Sequence, residues 1–494
     1  MSFSTNRALP CIILTASAVL FSACSVSPPA EPELPFALPE TFQADLSASF
    51  ERNERWWREF GDAELDQLVE TALVRNPAIA QAVARARMAE ARIRQGRADR
   101  LPQAGVGLSS ARQRQNLGAM AGPLGELADD MTFISNNHNA SLDVSWELDL
   151  WGRLSALDSA ARAEFLASAE QLRGVRQSVA AQVAQLYYEI VHARAQVELS
   201  ERTVESLAEM SRQIGNRVAA GIASPADGML AEANLESARA GLEQRNEALA
   251  RALRQMDVLL GYYPDGESRT ADTLPDVPAA PSAGVPARLL ERRPDVRAAE
   301  LALLAAGYQL GAAERSFLPS ISLSGSAGYA SSEWDGLFDS SNFVWSIAGQ
   351  VMQPVFQGGR LVAQVDIAEG QQAEALGGYV ETALNALAEV ESLLAVNTVL
   401  QRREDSLDAS AGAAEEAVRV SFNRYQQGID PFLNVLESQQ RALDGRSAYL
   451  TARHARIENR IALHLALGGG FEQYPITTEH HYIQDTTART AATP

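Results

Sequence analysis

The chain has 494 residues, of which 46% are hydrophobic, and a formal net charge of −20 at pH 7. The acidic balance argues against a nucleic-acid partner, because a phosphate-binding surface needs clustered Lys and Arg. Its two cysteines, Cys11 and Cys24, lie within and at the end of an N-terminal apolar leader, so the mature chain has no intrachain disulfide and must be held together by packing or oligomerisation.

Arg7 precedes the leader, Ala8–Ala23. It is short for a membrane span, which needs about 20 residues, and fits a secretory signal. Leu20-Phe-Ser-Ala-Cys24 resembles a bacterial lipobox, although Phe21 stands where leucine is usual. The resemblance implies cleavage before Cys24 and a covalent lipid on its thiol, and Ser25 resembles the outer-membrane sorting pattern. No later stretch is expected to reach the length of a membrane-spanning helix, so deeper membrane entry requires β-structure. The expected boundaries are 1–23 for the signal, 24–49 for a Pro-rich tether, and 50–74 for a short amphipathic segment. Trp56 and Trp57 in that segment are read as core anchors.

Two copies of one pattern follow. Arg75-Asn-Pro77 and Leu101-Pro102 match Arg292-Arg-Pro294 and Leu318-Pro319 at an offset of 217 residues. Gly152-Arg153, Arg217 with Gly221, and Leu260-Gly261 match Gly359-Arg360, Arg424 with Gly428, and Leu467-Gly468 at an offset of 207. The change of offset falls inside a strand hairpin, where a surface loop is expected to vary. Repeat 1 is 75–261, with a hairpin at 102–151, a long helix at 153–220 and a return helix at 225–260. A linker spans 262–291. Repeat 2 is 292–468, with a hairpin at 319–356 and helices at 360–427 and 431–467, and the tail is 469–494.

The hairpins alternate apolar with small or polar residues. Val144, Trp146 and Leu148 interleave with Ser145 and Glu147, and Ile321 and Leu323 with Ser320, Ser322 and Ser324. This is the pattern of a barrel wall with lipid outside and water inside; a sandwich with one wet face has the same period. Four strands cannot close a barrel and open edges are not tolerated in hydrocarbon, so chains must share one of 8, 12 or 16 strands. After Gly152 the period becomes helical: Leu172, Val175, Val179, Val183, Leu186 and Ile190 form one stripe. A helix from Arg153 to Ala220 is about 100 Å long.

At the far end Gly221 stops the long helix, and Ser224-Pro-Ala-Asp227 reads as a capping box with Pro225 in the first turn. In the second copy Gly428 stops the helix, Asp430 is expected to cap, and Pro431 is expected at the first helical position. Enzyme motifs are not found: the sequence has no G-x-S-x-G, P-loop, H-E-x-x-H or paired-cysteine metal spacing. No cofactor or metal is expected beyond the lipid on Cys24.

Trp146-Glu-Leu-Asp-Leu-Trp-Gly-Arg153, Arg292-Arg-Pro-Asp-Val-Arg297 and the tips Arg217-x-x-x-Gly221 and Arg424-x-x-x-Gly428 resemble the TolC/OprM family of outer-membrane factors, in its OprM/NodT lipoprotein branch. The resemblance implies a mainly α fold with membrane β: a homotrimeric 12-stranded outer-membrane barrel continued by a long α-helical periplasmic barrel. It also implies a role as the exit duct of a tripartite efflux system. The tips, at Arg217, Gly221, Ser224, Asp227, Arg424, Gly428 and Asp430, would meet a periplasmic adaptor (membrane fusion protein) that links the duct to an inner-membrane pump of the RND type. In relatives acidic residues early in the last helix line the aperture, which points to Glu437, with Asn434 where some members carry a carboxylate. The alternative is a periplasmic coiled-coil scaffold lipoprotein, which leaves the four amphipathic strands unused. The sequence does not name the cargo.

Overall fold

The computed structural model describes residues 35–43, 55–116 and 132–469. Cys24, most of the tether and the tail lie outside them. The elements are α1 (Ala63–Arg75), α2 (Pro77–Ala98), β1 (Gln103–Asn116), β2 (Thr132–Leu148), α3 (Arg153–Ala219), α4 (Pro225–Leu259), α5 (Pro286–Arg292), α6 (Pro294–Arg315), β3 (Ser320–Ser331), β4 (Phe343–Met352), α7 (Arg360–Gln426) and α8 (Phe432–Ala466). Lengths recur in pairs: α2 and α6 have 22 residues, α3 and α7 have 67, and α4 and α8 have 35. Two compact units divide the chain, one of them holding Arg87–Ala167 and Glu300–Gly378.

That unit contains a four-stranded antiparallel sheet in the order β1-β2-β3-β4, which leaves β1 and β4 as edges. Register sorts the side chains onto two faces. One face carries five apolar rows: Leu148/Ile321/Val351, Trp146/Leu323/Gly349, Ala104/Val144/Gly325/Ile347, Val106/Leu142/Ala327/Trp345 and Leu108/Ala140/Tyr329/Phe343. The other carries Gly105, Asp143, Ser326, Ser346 and their like. The apolar face is bare, with Val106 86%, Ile347 72% and Trp345 68% exposed. A face this apolar and this exposed requires a covering medium. The hairpins differ in their strands more than expected. β1 and β2 have 14 and 17 residues against 12 and 10 for β3 and β4, so the extra length is not confined to the loop. Residues 117–131, between β1 and β2, lie outside the described residues.

The second unit is packed around Trp56, Trp57, Phe60, Leu65 and Val69, which meet Val179, Val183, Tyr187, Tyr188 and Ile190 of α3, Met256 of α4 and Ile457 and Ile461 of α8. Trp56 and Trp57 are each 1% exposed, which makes them core residues. Asp62 caps α1 by accepting from the Glu64 and Leu65 amides, and the Tyr187 hydroxyl donates to its other oxygen at 2.5 Å. Helices also meet end to end here. The Asn76 amide donates to the Leu259 carbonyl at the end of α4 (2.7 Å) while its oxygen accepts from Ala78. At the corresponding place in the second half the Arg293 guanidinium donates to the Ala466 carbonyl (3.0 Å) and to Glu389 (2.6 Å). Gly261 sits beside the first joint with φ of +74°, and a Cβ there would lie 2.8 Å from the Arg75 carbonyl oxygen. Only glycine satisfies both the turn and the approach.

One expectation fails in the helices. α7 is long and apolar enough to cross a membrane by length and composition, and only 22% of its apolar window is buried. The reason is its run of Ala, Leu and Val, which carries little charge between Glu381 and Arg402.

Candidate functional site

Two places carry the chemistry of the molecule, the strand-to-helix junction in the first unit and the helix tips in the second. At the junction each conspicuous residue has a specific job. Asp149 caps α3: its carboxylate accepts from the Leu154 amide (3.0 Å), the Ser155 amide (2.7 Å) and the Ser155 hydroxyl (2.5 Å). Gly152 turns the chain with φ of +77°. The Trp146 ring N–H donates to the Arg100 carbonyl (2.9 Å), and that of Trp151 to the Pro319 carbonyl (2.7 Å). Arg153 pairs with Glu147 at 2.8 Å. A few residues away the nearly buried Asp158 collects Arg162 (2.6 Å), Arg100 (3.6 Å) and Arg97 (3.9 Å). Asp149→Ala removes an N-cap, and its expected cost is about 1–2 kcal/mol, read as a lower melting temperature; Asp149→Asn, which keeps an acceptor, is expected to restore most of it. Equal melting of Asp149→Ala and wild type would disprove the cap.

At the first tip α3 ends in a Schellman turn. Gly221 has φ of +73°, the Ile222 amide donates to the Arg217 carbonyl (2.8 Å) and the Gly221 amide to that of Val218 (3.0 Å). Ser224 caps α4 through the Ala226 amide at 3.2 Å, with Pro225 at the first helical position. The capping box is only half made: Asp227 returns no bond to the Ser224 amide among the described residues, its side chain being one methylene shorter than the usual glutamate. At the second tip Gly428 has φ of +75°, and the Ile429 amide donates to the Arg424 carbonyl at 3.0 Å. Asp430 does not cap, and Pro431 is the N-cap rather than the first helical residue, with α8 starting at Phe432. The Arg424 guanidinium engages both Asp430 oxygens, at 2.7 and 3.1 Å, so the carboxylate is held on the guanidinium rather than on the amides of the helix end. That pairing holds the Asp430 carboxyl below its ordinary range.

The tips share one small core. Met210, Ile214 and Ala231 from the first pair of helices pack with Tyr425, Phe432 and Val435 from the second. The Arg217 guanidinium lies 5.2 Å from the Tyr425 ring centroid, a cation–π contact that ties tip to tip. Asn434 and Glu437 are exposed, three residues apart, on the face of α8 away from the buried Phe432 and Val435. Glu437 is not a bare carboxylate: Arg441, one turn on, pairs with it at 3.4 Å. The i,i+4 spacing of Glu437 and Arg441 is the sequence signal for this pair. Among the described residues no group of three His, Cys, Asp or Glu is placed to hold a metal ion.

The family model for outer membrane efflux proteins matches residues 68–262 and 285–469. The chain belongs to the outer membrane efflux protein family. OprJ, an outer membrane protein of Pseudomonas aeruginosa, is 33% identical over 461 residues, covering 92% of this chain and 95% of OprJ. CusC, a cation efflux system protein of Escherichia coli, is 30% identical over 474 residues, covering 94% of this chain and all of CusC. A crystal structure of a membrane protein from Pseudomonas aeruginosa superposes with a TM-score of 0.82 at 31% identity, covering 92% of this chain and all of the other. The family match decides between the two readings of the helices: the protein is an efflux channel of the outer membrane, and the scaffold reading is set aside.

Proposed function

We propose that three copies of the chain close one 12-stranded barrel and form the exit duct of a tripartite pump. The observation that carries this reading is the sheet, with one bare apolar face and two free edges. Residues two apart rise ~6.8 Å along a strand, so five rows span ~27 Å, or ~20 Å at a strand tilt of ~40°, close to the ~25 Å apolar band of outer-membrane barrels. Four strands with open edges have no place in hydrocarbon, and pairing β4 of one copy with β1 of the next removes both edges. The exposed Val362, Ile367, Leu384, Val396 and Val399 of α7 are then covered by neighbouring copies. The paired helix lengths support a duplicated helix-strand-strand-helix unit, which three chains repeat six times around the axis. Cys24 bears the lipid anchor in this scheme.

In this reading the tips, at Arg217, Gly221, Ser224, Asp227, Arg424, Gly428 and Asp430, dock the periplasmic adaptor, and an inner-membrane pump of the RND type selects the cargo that the duct passes. Asn434 and Glu437 line the aperture. Three Glu437 carboxylates around one axis favour cations, moderated by Arg441 beside each. Planar-bilayer recording tests both parts. The wild-type protein is expected to form cation-selective channels, and Glu437→Ala to lose part of that selectivity, while Glu415→Ala, further from the tip on the preceding helix α7, changes it less. Absence of channels would sink the duct; unchanged selectivity in Glu437→Ala would move the aperture elsewhere. For the anchor, radiolabelled palmitate is expected to enter the wild type and not Cys24→Ser.

A further inference from the structure

The first hairpin outruns the second. On the outward face, beyond the row Leu108/Ala140/Tyr329/Phe343, β1 and β2 continue through Ser110/His138 and Arg112/Asn136 to Arg114/Ile134. The change from apolar to polar is marked by aromatic rings: Trp334 packs on His138 at 4.3 Å, and Tyr329 meets Phe338 and Phe343 edge-on at 5.6 and 5.7 Å. Rings of this kind sit at the membrane–water boundary of barrels. Arg112 and Arg114 stand just past it, two residues apart on the same face and therefore ~7 Å from each other along the strand. Both are exposed, and neither has an ion pair or hydrogen bond among the described residues. Their cross-strand neighbours Asn136 and Ile134 are uncharged, and Glu333, Asp335 and Asp339 of the β3–β4 loop pair with neither. In a chain of net charge −20, two such arginines side by side on a lipid-facing strand make a local cationic patch that an anionic headgroup complements.

We propose that Arg112 and Arg114 form a docking surface for the phosphorylated glucosamine headgroup of outer-leaflet lipopolysaccharide. The assignment rests on the barrel reading above, which gives this end of the strands the outer leaflet. Leu108 and the aromatic rings contact the acyl chains, while Arg112, four residues or ~13 Å along the strand from Leu108, reaches the headgroup layer. Guanidinium groups bind phosphate oxygens in paired, charge-assisted hydrogen bonds. The long strands of the first hairpin thereby serve to lift a cationic pair above the apolar band.

The test uses the purified, detergent-solubilised full-length protein and three probes: bisphosphorylated lipid A, dephosphorylated lipid A, and phosphatidylglycerol. Arg112→Ala/Arg114→Ala is expected to bind bisphosphorylated lipid A at least ten-fold more weakly than wild type, with no difference for dephosphorylated lipid A. Arg112→Lys/Arg114→Lys retains most of the affinity, and Gln113→Ala, which faces the other way, changes nothing. Equal affinity of wild type and the double alanine variant overturns the proposal, as does an equal loss for phosphatidylglycerol. Channel recordings on the same preparations keep the two readings apart. Normal wild-type channels with unchanged lipid A binding would refute this surface alone, whereas no channels from any preparation would refute the barrel and this surface with it.

Discussion

Ile347→Arg is expected to abolish the assembled channel, and Ser346→Arg to leave it intact. The two residues are adjacent in β4 but point to opposite faces: Ile347 pairs with Gly325 in the middle apolar row, and Ser346 with Ser326 on the polar side. An arginine on the lipid face at the bilayer midplane costs about 2–4 kcal/mol, and the proposed trimer would incur that cost three times, for about 6–12 kcal/mol in all. That sum is comparable to the whole stability of a typical domain. An arginine on the water-filled side keeps its hydration. The check is gel migration without boiling, combined with outer-membrane fractionation. A heat-sensitive oligomer for Ser346→Arg and none for Ile347→Arg is the expected pair of results. The same outcome for both would mean that the bare face does not meet lipid.

Acid is expected to weaken the helical part through a pair of histidines. His192 of α3 and His454 of α8 stack with ring centroids 4.8 Å apart and planes 6° from parallel. Burial holds both at about 4, with His454 and Arg245 adding to the effect at His192. Both rings are therefore neutral at pH 7. In the unfolded chain they titrate near 6.5. The unfolded state then binds more protons between these values, so the pair costs nothing above about pH 6.5 and progressively more as pH falls toward 4. The full cost is about 3 kcal/mol per ring at most, reduced by solvent screening at the less buried His192. Glu189 and Glu458 face the same contact and are pushed up by burial, so their effect runs the opposite way. The difference between wild type and His192→Gln/His454→Gln isolates the rings. Thermal melting of the detergent-solubilised protein from pH 7 to 4.5 is expected to fall steeply for wild type and by less than half as much for the variant. Parallel curves would show that the stack does not carry the acid response.

Much of this molecule is legible in its residues because its regular elements are long and its signals local. The change from period two to period 3.6 across Gly152 marks the end of β2 and the start of α3, and the glycines at 221 and 428 mark helix stops that the backbone angles bear out. What local pattern does not convey is partner choice across long separations. Trp146 and Trp151 donate to carbonyls 46 and 168 residues away, and nothing near either ring in sequence points there. Asp430 sits where caps sit, yet Arg424 six residues earlier takes its carboxylate. The end-to-end joints are hidden for a different reason. Asn76 and Arg293 occupy matching positions and both tie down a helix terminus, but an amide and a guanidinium do not match by identity. The extra strand length of the first hairpin reads as loop in the sequence, since the polar run Ser135-Asn-Asn137 interrupts the alternation inside β2.

The apolar window of α7 has a consequence for biogenesis. An outer-membrane protein is first threaded through the inner membrane, and a long apolar helix there risks lateral release into the bilayer, stranding the chain in the wrong compartment. Between Glu381 and Arg402 the charged residues of α7 are Glu389 and Glu391. A carboxylate near the centre of a span costs on the order of a few kcal/mol, enough to keep a moderately apolar segment moving through the translocation pore. Both glutamates also have employment after folding: Glu389 receives Arg293 at 2.6 Å, and Glu391 accepts from the Gln43 amide at 2.9 Å. The two side chains that make this helix costlier to leave in a bilayer are thus the ones that fasten it in the folded chain.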